Sequence, residues 1–560
     1  GCFTRVASGS WQHPIAGVCA GGECRVWYAT YDCRASLGGP VGPSRCSVTA
    51  GGSQVAEASV VVLDQPIGTI SPRLYGHFAE HLGRCCYGGL WADGGEDGRS
   101  KAGFRADAVE ALRELGAPLI RWPGGCYADH YHWRNGVGAP DRRPRTLGTS
   151  CGTRVADSHA IGTHEFLGLC EDLGAEPYLA LNVGSGSVQE ACDWVEYVNG
   201  TAPTNLAQER IANGRREPWG VRLWGVGNET WDCGGRYDPA SYAHEYLRYA
   251  TMIRHVDPAV ELVAVGMEDA GLAGPGVDPQ WNAKLLAAMG EGVPLLDHLS
   301  VHRYWVQGGP ETGFSEADYY TLLDEASETE GMVERAGRLL AEVSPQRKIG
   351  VALDEWGVWH PEARDWGPGD VARRTPLTFE QASTMRDALA AAIALEGFHR
   401  QCRVLTMANL AQVANVLHTV LLIDGAACVR TPTYHAFALH RPHMGAEALQ
   451  VEVSSGPAGP SGRPAISATA SSRGESLAVT VLNRDFGRQL PVTVRAAGKV
   501  VSGGVLAADT PDASNTPVQP DRVSTRPLAA AENGPGSFTV TLPPCSIATI
   551  ELAGTTSEGR

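Results

Sequence analysis

At 560 residues, with 43% hydrophobic and 19% charged side chains, the chain can hold a barrel of about 250 residues plus a companion domain and is too apolar for a disordered protein. Its 62 acidic residues outnumber 46 basic ones, the formal charge is −16, and no long basic stripe interrupts it, which excludes nucleic acid as a partner and suits neutral ligands such as sugars. No apolar run approaches the ~20 residues of a membrane span, so no membrane association is expected, and no basic start followed by an apolar stretch marks a signal peptide, so a cytoplasmic protein is expected.

Residues 1–55 are rich in Gly, Ser and Cys and show no sustained periodicity, so a disordered or artefactual extension is expected there, a small disulfide module being the alternative. They hold five of the fifteen cysteines; the others are scattered, Cys85 and Cys86 are adjacent, and nothing reads as CxxC…CxxC. The main body is therefore expected to be reduced and free of structural zinc. A first strand at Ala58 to Leu63, within residues 56–72, precedes the regular pattern and is expected to pair with the C-terminal domain. Over residues 73–430, eight short apolar runs alternate with longer helical stretches: Leu74 to Ala79, Leu119 to Trp122, Pro177 to Val183, Leu223 to Val226, Leu262 to Val265, His298 to His302, Ile349 to Leu353 and Val404 to Ala408. Helices are predicted at Ala106 to Leu115, Ser241 to His255 and Phe379 to Phe398. From residue 431 to 560 alternating runs take over, at Ser476 to Asn483, Leu490 to Ala496 and Ser537 to Glu551. The fold class is α/β: a (β/α)₈ TIM barrel followed by an all-β, jelly-roll-like sandwich.

Active sites of such barrels lie at the C-terminal ends of the strands. The runs here deliver Glu80, Arg121, Asn182, Asn228 with Glu229, His302 with Tyr304 and Trp305, Asp354 with Glu355, and Asn409 to Gln412 to that rim. Glycoside hydrolysis needs two carboxylates flanking one bond. Glu229 and Glu355 follow the fourth and seventh strands, on opposite sides of the mouth. The ionised Glu355 would keep Glu229 protonated, making Glu229 the acid/base and Glu355 the nucleophile of a retaining mechanism. Asn228 is placed to hold a sugar hydroxyl beside the acid. Trp224, Trp231, Trp305, Trp356 and Trp359 crowd the same rim, where aromatic faces stack on sugar rings.

The stretches LYGHFAEHLGRCCYGGLW (74–91), IRWPGGCYADHYHWRNGVGAP (120–140), WGVGNE (224–229), LSVHRYW (299–305), LDEWGVW (353–359) and NLAQVANVL (409–417) resemble the α-L-arabinofuranosidases of glycoside hydrolase family 51, in the clan of two-glutamate barrels. The resemblance implies exo-release of arabinofuranose from arabinan- or arabinoxylan-type oligosaccharides, no cofactor or metal, and a homo-oligomer, frequently a hexamer. By position in these motifs, Glu80, Arg121, Cys126, Asn228, Tyr304 and Gln412 look like sugar-binding residues and Trp359 like a subsite wall. Asn182, His302 and Trp305 stand beside them as supporting residues. The chain departs from the family near Cys151, where a Trp is common, which leaves the aglycone-side wall and linkage preference open.

Three other readings compete. His77-x-x-Glu80-His81 fits the HxxEH spacing of zinc peptidases, but Gly76 and Gly83 bracket it too closely for the helix that mechanism needs. A catalytically silent carbohydrate-binding protein would have no use for both glutamates. An endo-β-glucanase or xylosidase on the same barrel is separated only by the motif resemblance, since fold does not fix substrate. The sequons at Asn199 and Asn228 are read as chance, because a glycan on Asn228 would block the proposed site.

Overall fold

The computed structural model describes residues 58–94, 103–267, 277–369 and 371–554, together with the backbone of three strands near the start of the chain. Residues Gly1–Val55 and Ala56–Arg560 separate into two compact units. In the first, Thr4–Arg5, Trp11–Ala20 and Glu23–Tyr31 form an antiparallel sheet, where the sequence pattern signalled no secondary structure.

In the second unit eight parallel strands close into a barrel in chain order. They are β1 (Gly76–Phe78), β2 (Leu119–Trp122), β3 (Glu176–Leu181), β4 (Leu223–Val226), β5 (Glu261–Val265), β6 (His298–Trp305), β7 (Gly350–Val358) and β8 (Leu405–Ala411). Each overlaps one of the eight apolar runs. Leu119, Tyr178, Leu223, Val263, Ala352 and Met407, from six of these strands, make a separate buried cluster. That cluster fills the barrel interior with side chains, leaving the C-terminal rim as the place for a ligand.

The helix at Ala106–Leu115 matches its prediction because its signals are local. Ala108, Ala111, Leu112 and Leu115 repeat at helical spacing and are buried, and Gly116 at φ +72° ends the helix by donating to the carbonyls of Leu112 and Arg113. The helix predicted from Phe379 starts later, at Met385. Thr384 caps it by accepting from Asp387 N, and Asp387 accepts from Thr384 N in return, so the capping box fixes the start. Phe379 instead adopts φ +60°, and Gln381 ties down the loop after β7 through Val358 O and His360 N.

Ten of the remaining strands build one sheet, the all-β region that follows the barrel, and the others form two-stranded pairs. Ala58–Thr69 lies within it, antiparallel to Glu447–Ser454 and parallel to Leu490–Arg495. The run predicted as one strand from Ser537 is two, Ser537–Leu542 and Ser546–Ala553. Pro543 and Pro544 interrupt it, since neither offers a backbone N–H to a ladder.

Candidate active site

A cleft of about 250 Å³ opens at the rim, lined by both glutamates and by residues from nearly every strand end. Strand register explains how Glu355 comes to face it. Along β6 and β7, Val301 pairs with Leu353 but His302 pairs with Glu355, so Asp354 is the extra residue of a bulge. The bulge turns Glu355 toward His302, and Asp354 accepts from Tyr178 Oη at 2.9 Å inside the barrel.

The two glutamates have unequal surroundings. Glu355, 6% exposed, accepts from Arg121 Nη1 at 2.7 Å on one oxygen and from Tyr304 Oη at 2.8 Å on the other. Burial alone would raise its carboxyl, but the neighbouring His302, Arg121 and Tyr304 outweigh burial and hold it below the ordinary range. Glu229 has His302 Nδ1 at 2.9 Å from Oε1. Burial pushes its carboxyl up, the Glu355 charge adds to the rise, and His302 only partly opposes it. One oxygen of each glutamate and a His302 nitrogen all lie within 4.8 Å of one another. Such a pair can present a proton and a nucleophile to opposite sides of one bond.

Around them the predicted binding residues converge. Arg121, 1% exposed, bridges Glu355 to Asn228 Oδ1, the latter at 2.7 Å. Glu80 accepts from Gly125 N, Tyr127 N and Ser150 Oγ on one oxygen and from Gln412 Nε2 at 3.2 Å on the other. Burial, then the Glu355 charge, pushes its carboxyl up to about 7. Gly125 permits this closeness, because a Cβ there would stand 2.6 Å from Glu355 Oε1. Trp359 lines the cleft, with the Tyr304 ring 5.1 Å away and Trp366 5.2 Å away, edge to face.

Several expectations change. Cys126 is no free thiol: it is joined to Cys233, with the two Cα atoms 5.6 Å apart, so the main body carries a disulfide at the cleft. Nothing in the spacing of 107 residues signals this pairing. Asn182 folds back onto its own loop, accepting from Ser185 N and Gly186 N, and does not line the cleft. Of the five rim tryptophans only Trp231 and Trp359 face the cleft. Trp224 donates to Val221 O, Trp305 donates to Thr329 Oγ1, and Trp356 packs on Phe398 and Phe437, all three fully buried. The HxxEH residues diverge, since His77 packs on Phe437, Glu80 enters the cleft and His81 accepts from Trp122 Nε1. Sequence reasoning missed Ser150, Cys233, Trp366 and Phe379. Ser150 ends a short strand outside the barrel, Thr146–Ser150, that no apolar run marks, and Phe379 was assigned to a helix that begins only at Met385; Trp366 was within reach of the aromatic argument but lies beyond the strand-end window.

The description "Alpha-L-arabinofuranosidase 1 domain" matches residues 111–305, and "Alpha-L-arabinofuranosidase C-terminal domain" matches residues 354–546. The chain is 35% identical to an intracellular exo-α-L-arabinofuranosidase of Bacteroides ovatus, over 89% of this chain and 96% of that protein. It is 31% identical to an intracellular exo-α-(1→5)-L-arabinofuranosidase of Streptomyces lividans, over 87% of this chain and 74% of that one. The crystal structure of the family 51 arabinofuranosidase from Xanthomonas axonopodis pv. citri superposes with a TM-score of 0.80 at 33% identity, covering 89% of this chain and all of that one.

Proposed function

Because the chain belongs to the α-L-arabinofuranosidases of glycoside hydrolase family 51, we propose that it removes terminal non-reducing arabinofuranosyl residues from arabinan- and arabinoxylan-type oligosaccharides by double displacement. The observation that supports the mechanism is the close, unequal pair, with an oxygen of Glu229 within 4.8 Å of one of Glu355; retaining enzymes hold their carboxyl groups roughly 5–5.5 Å apart, whereas an inverting one needs room for a water between them. Glu355, held ionised, attacks the anomeric carbon while Glu229, held protonated, gives its proton to the departing oxygen. The glycosyl–Glu355 ester removes the charge that adds to burial in raising the Glu229 carboxyl, so Glu229 then takes a proton from the incoming water. Arg121 and Asn228 fix the nucleophile's side of the ring, and Glu80 with Gln412 offers acceptors and donors to ring hydroxyls. Trp359 walls the subsite.

The names of the Bacteroides ovatus and Streptomyces lividans proteins support exo-action and an intracellular setting, which we extend to this chain as a cytoplasmic location. Among the described residues no helix is long and apolar enough to cross a membrane. The proposal includes a division into a catalytic barrel over 73–430 and a sandwich over 431–560 completed by 56–72. It also includes a homo-oligomer, a hexamer on the family resemblance, which sedimentation tests. Release of nitrophenol from para-nitrophenyl α-L-arabinofuranoside, with proton NMR following the first anomer, tests the reaction. The expected result is the α-furanose first, with turnover lost in Glu355→Ala. A β-furanose first would overturn the retaining assignment, and no cleavage by folded protein would overturn the substrate.

A further inference from the structure

The Cys126–Cys233 disulfide is part of the cleft wall, beside a group that the reaction needs. Cys126 opens the turn after β2 and Cys233 lies in the turn after β4, four residues past Glu229. Cys233 Sγ stands 3.8 Å from Glu229 Oε2, and the two sulfurs and a Glu229 oxygen all lie within 4.8 Å of one another. Both cysteines line the cleft and are only half-buried, so small solutes reach them.

We propose that reduction of this disulfide opens a latent, inhibitory site for a thiophilic divalent cation such as zinc, formed by Cys126 Sγ, Cys233 Sγ and a Glu229 carboxylate oxygen. Tetrahedral zinc takes sulfur at about 2.3 Å and carboxylate oxygen at about 2.0–2.2 Å, so neighbouring ligand atoms sit roughly 3.5–3.8 Å apart. The Cys233–Glu229 edge already has that length. The sulfur–sulfur edge is closed by the covalent bond, and breaking that bond lets the two thiolates separate to it. A water from the cleft completes the fourth position. Reduction balances as thiol–disulfide exchange. A dithiol's thiolate attacks one sulfur, its second thiolate displaces the mixed disulfide, and the dithiol ends as its cyclic disulfide while the chain gains two thiols. Metal binding then releases the thiol protons and any proton on Glu229. A carboxylate that is a metal ligand carries no proton for a leaving oxygen, so the bound cation silences the enzyme. That inhibition rests on the acid/base role proposed for Glu229; cation binding does not.

The test uses the full chain reduced anaerobically with a phosphine, desalted and counted for two thiols gained beyond those that a Cys126→Ser/Cys233→Ser variant gains. Cadmium is then added while the ultraviolet thiolate-to-metal charge-transfer band is followed. The expected result is one equivalent bound by the reduced chain beyond that bound by the oxidised chain and by a reduced Cys126→Ser/Cys233→Ser variant. For a site with Kd near ~1 µM, ~10 µM zinc leaves roughly one molecule in eleven free, so arabinofuranosidase activity should fall about tenfold. EDTA should restore it, and the oxidised enzyme should be unaffected. A pair that resists reduction in the folded chain, or an equal cadmium signal in the double variant, overturns the site. A cadmium signal specific to the reduced pair without loss of turnover overturns the inhibition. Absence of turnover in the oxidised enzyme bears on the proposed reaction alone, because the charge-transfer titration reads binding without it.

Discussion

Tyr304→Phe separates the roles of the two glutamates. The substitution removes one hydroxyl, the donor to Glu355 Oε2 at 2.8 Å, and keeps the ring that packs 5.1 Å from Trp359. A buried hydrogen bond to a charged group contributes about 1.5–3 kcal/mol, and one pKa unit corresponds to about 1.4 kcal/mol. Without it the Glu355 carboxyl should rise by about one to two units, with Arg121 at 2.7 Å still holding it ionised near neutral pH. The nucleophile must be unprotonated to attack, so the acidic limb of kcat/KM against pH should move up by that amount. The limbs belong to the coupled pair, so the readout is which limb moves. The basic limb, set by loss of the proton from Glu229, should move far less, because the Tyr304 hydroxyl donates to Glu355 and not to Glu229. An acidic limb that stays in place would refute the hydrogen-bond argument. Movement of the basic limb instead would mean that acid and nucleophile are exchanged.

Glu229→Ala should lower kcat/KM for para-nitrophenyl arabinofuranoside by about 10²–10⁴-fold, and less for a dinitrophenyl leaving group that departs without a proton. Azide should rescue turnover and give a glycosyl azide of retained configuration; an inverted azide would contradict the covalent intermediate. Trp366→Ala, which removes the edge-on partner of Trp359, should raise KM for oligosaccharides about fivefold, for about 1 kcal/mol of aromatic contact, and leave aryl substrates nearly unchanged. Equal losses on both substrates would place Trp366 outside the aglycone wall. Burial pushes the Glu396 carboxyl up to about 7 from 4.5. The folded chain binds that proton more tightly than the unfolded one, so stability is fullest below about pH 4.5 and is lost as pH rises through about 7, by at most about 3 kcal/mol. Glu396→Gln should flatten the fall in denaturation midpoint between about pH 4.5 and pH 7, and an unchanged slope would remove burial as its cause.

The parts of the fold legible in the sequence are those with local signals. The eight barrel strands announce themselves as apolar runs between helices, and the ends of β4 and β7 carry the two glutamates. What was not legible depends on partners distant in the chain. Whether a rim tryptophan faces the cleft or the core follows from strand orientation, and Trp305 and Trp356 point away from the cleft while their neighbours Tyr304 and Glu355 point in. Asn182 lies at a strand end like Asn228, yet its loop turns it onto Ser185 and Gly186. The Cys126–Cys233 pair is invisible because two residues 107 apart meet only once β2 and β4 stand two strands apart in a closed barrel.

The division of labour proposed for Glu229 and Glu355 likewise rests on the closed barrel rather than on either motif. In sequence both are a glutamate after an apolar run. Closure gives Glu355 a guanidinium from β2 and a phenol from β6, and the bulge at Asp354 sets it in register with His302. Glu229 receives His302 and a disulfide, which supplies no N–H or O–H to hold a negative charge. Burial raises both carboxyls; His302, Arg121 and Tyr304 reverse that for Glu355, whereas for Glu229 His302 opposes it only in part and the Glu355 charge adds to it. In the proposed mechanism esterification of Glu355 removes its charge, which would lower the Glu229 carboxyl and suit it to act as the base.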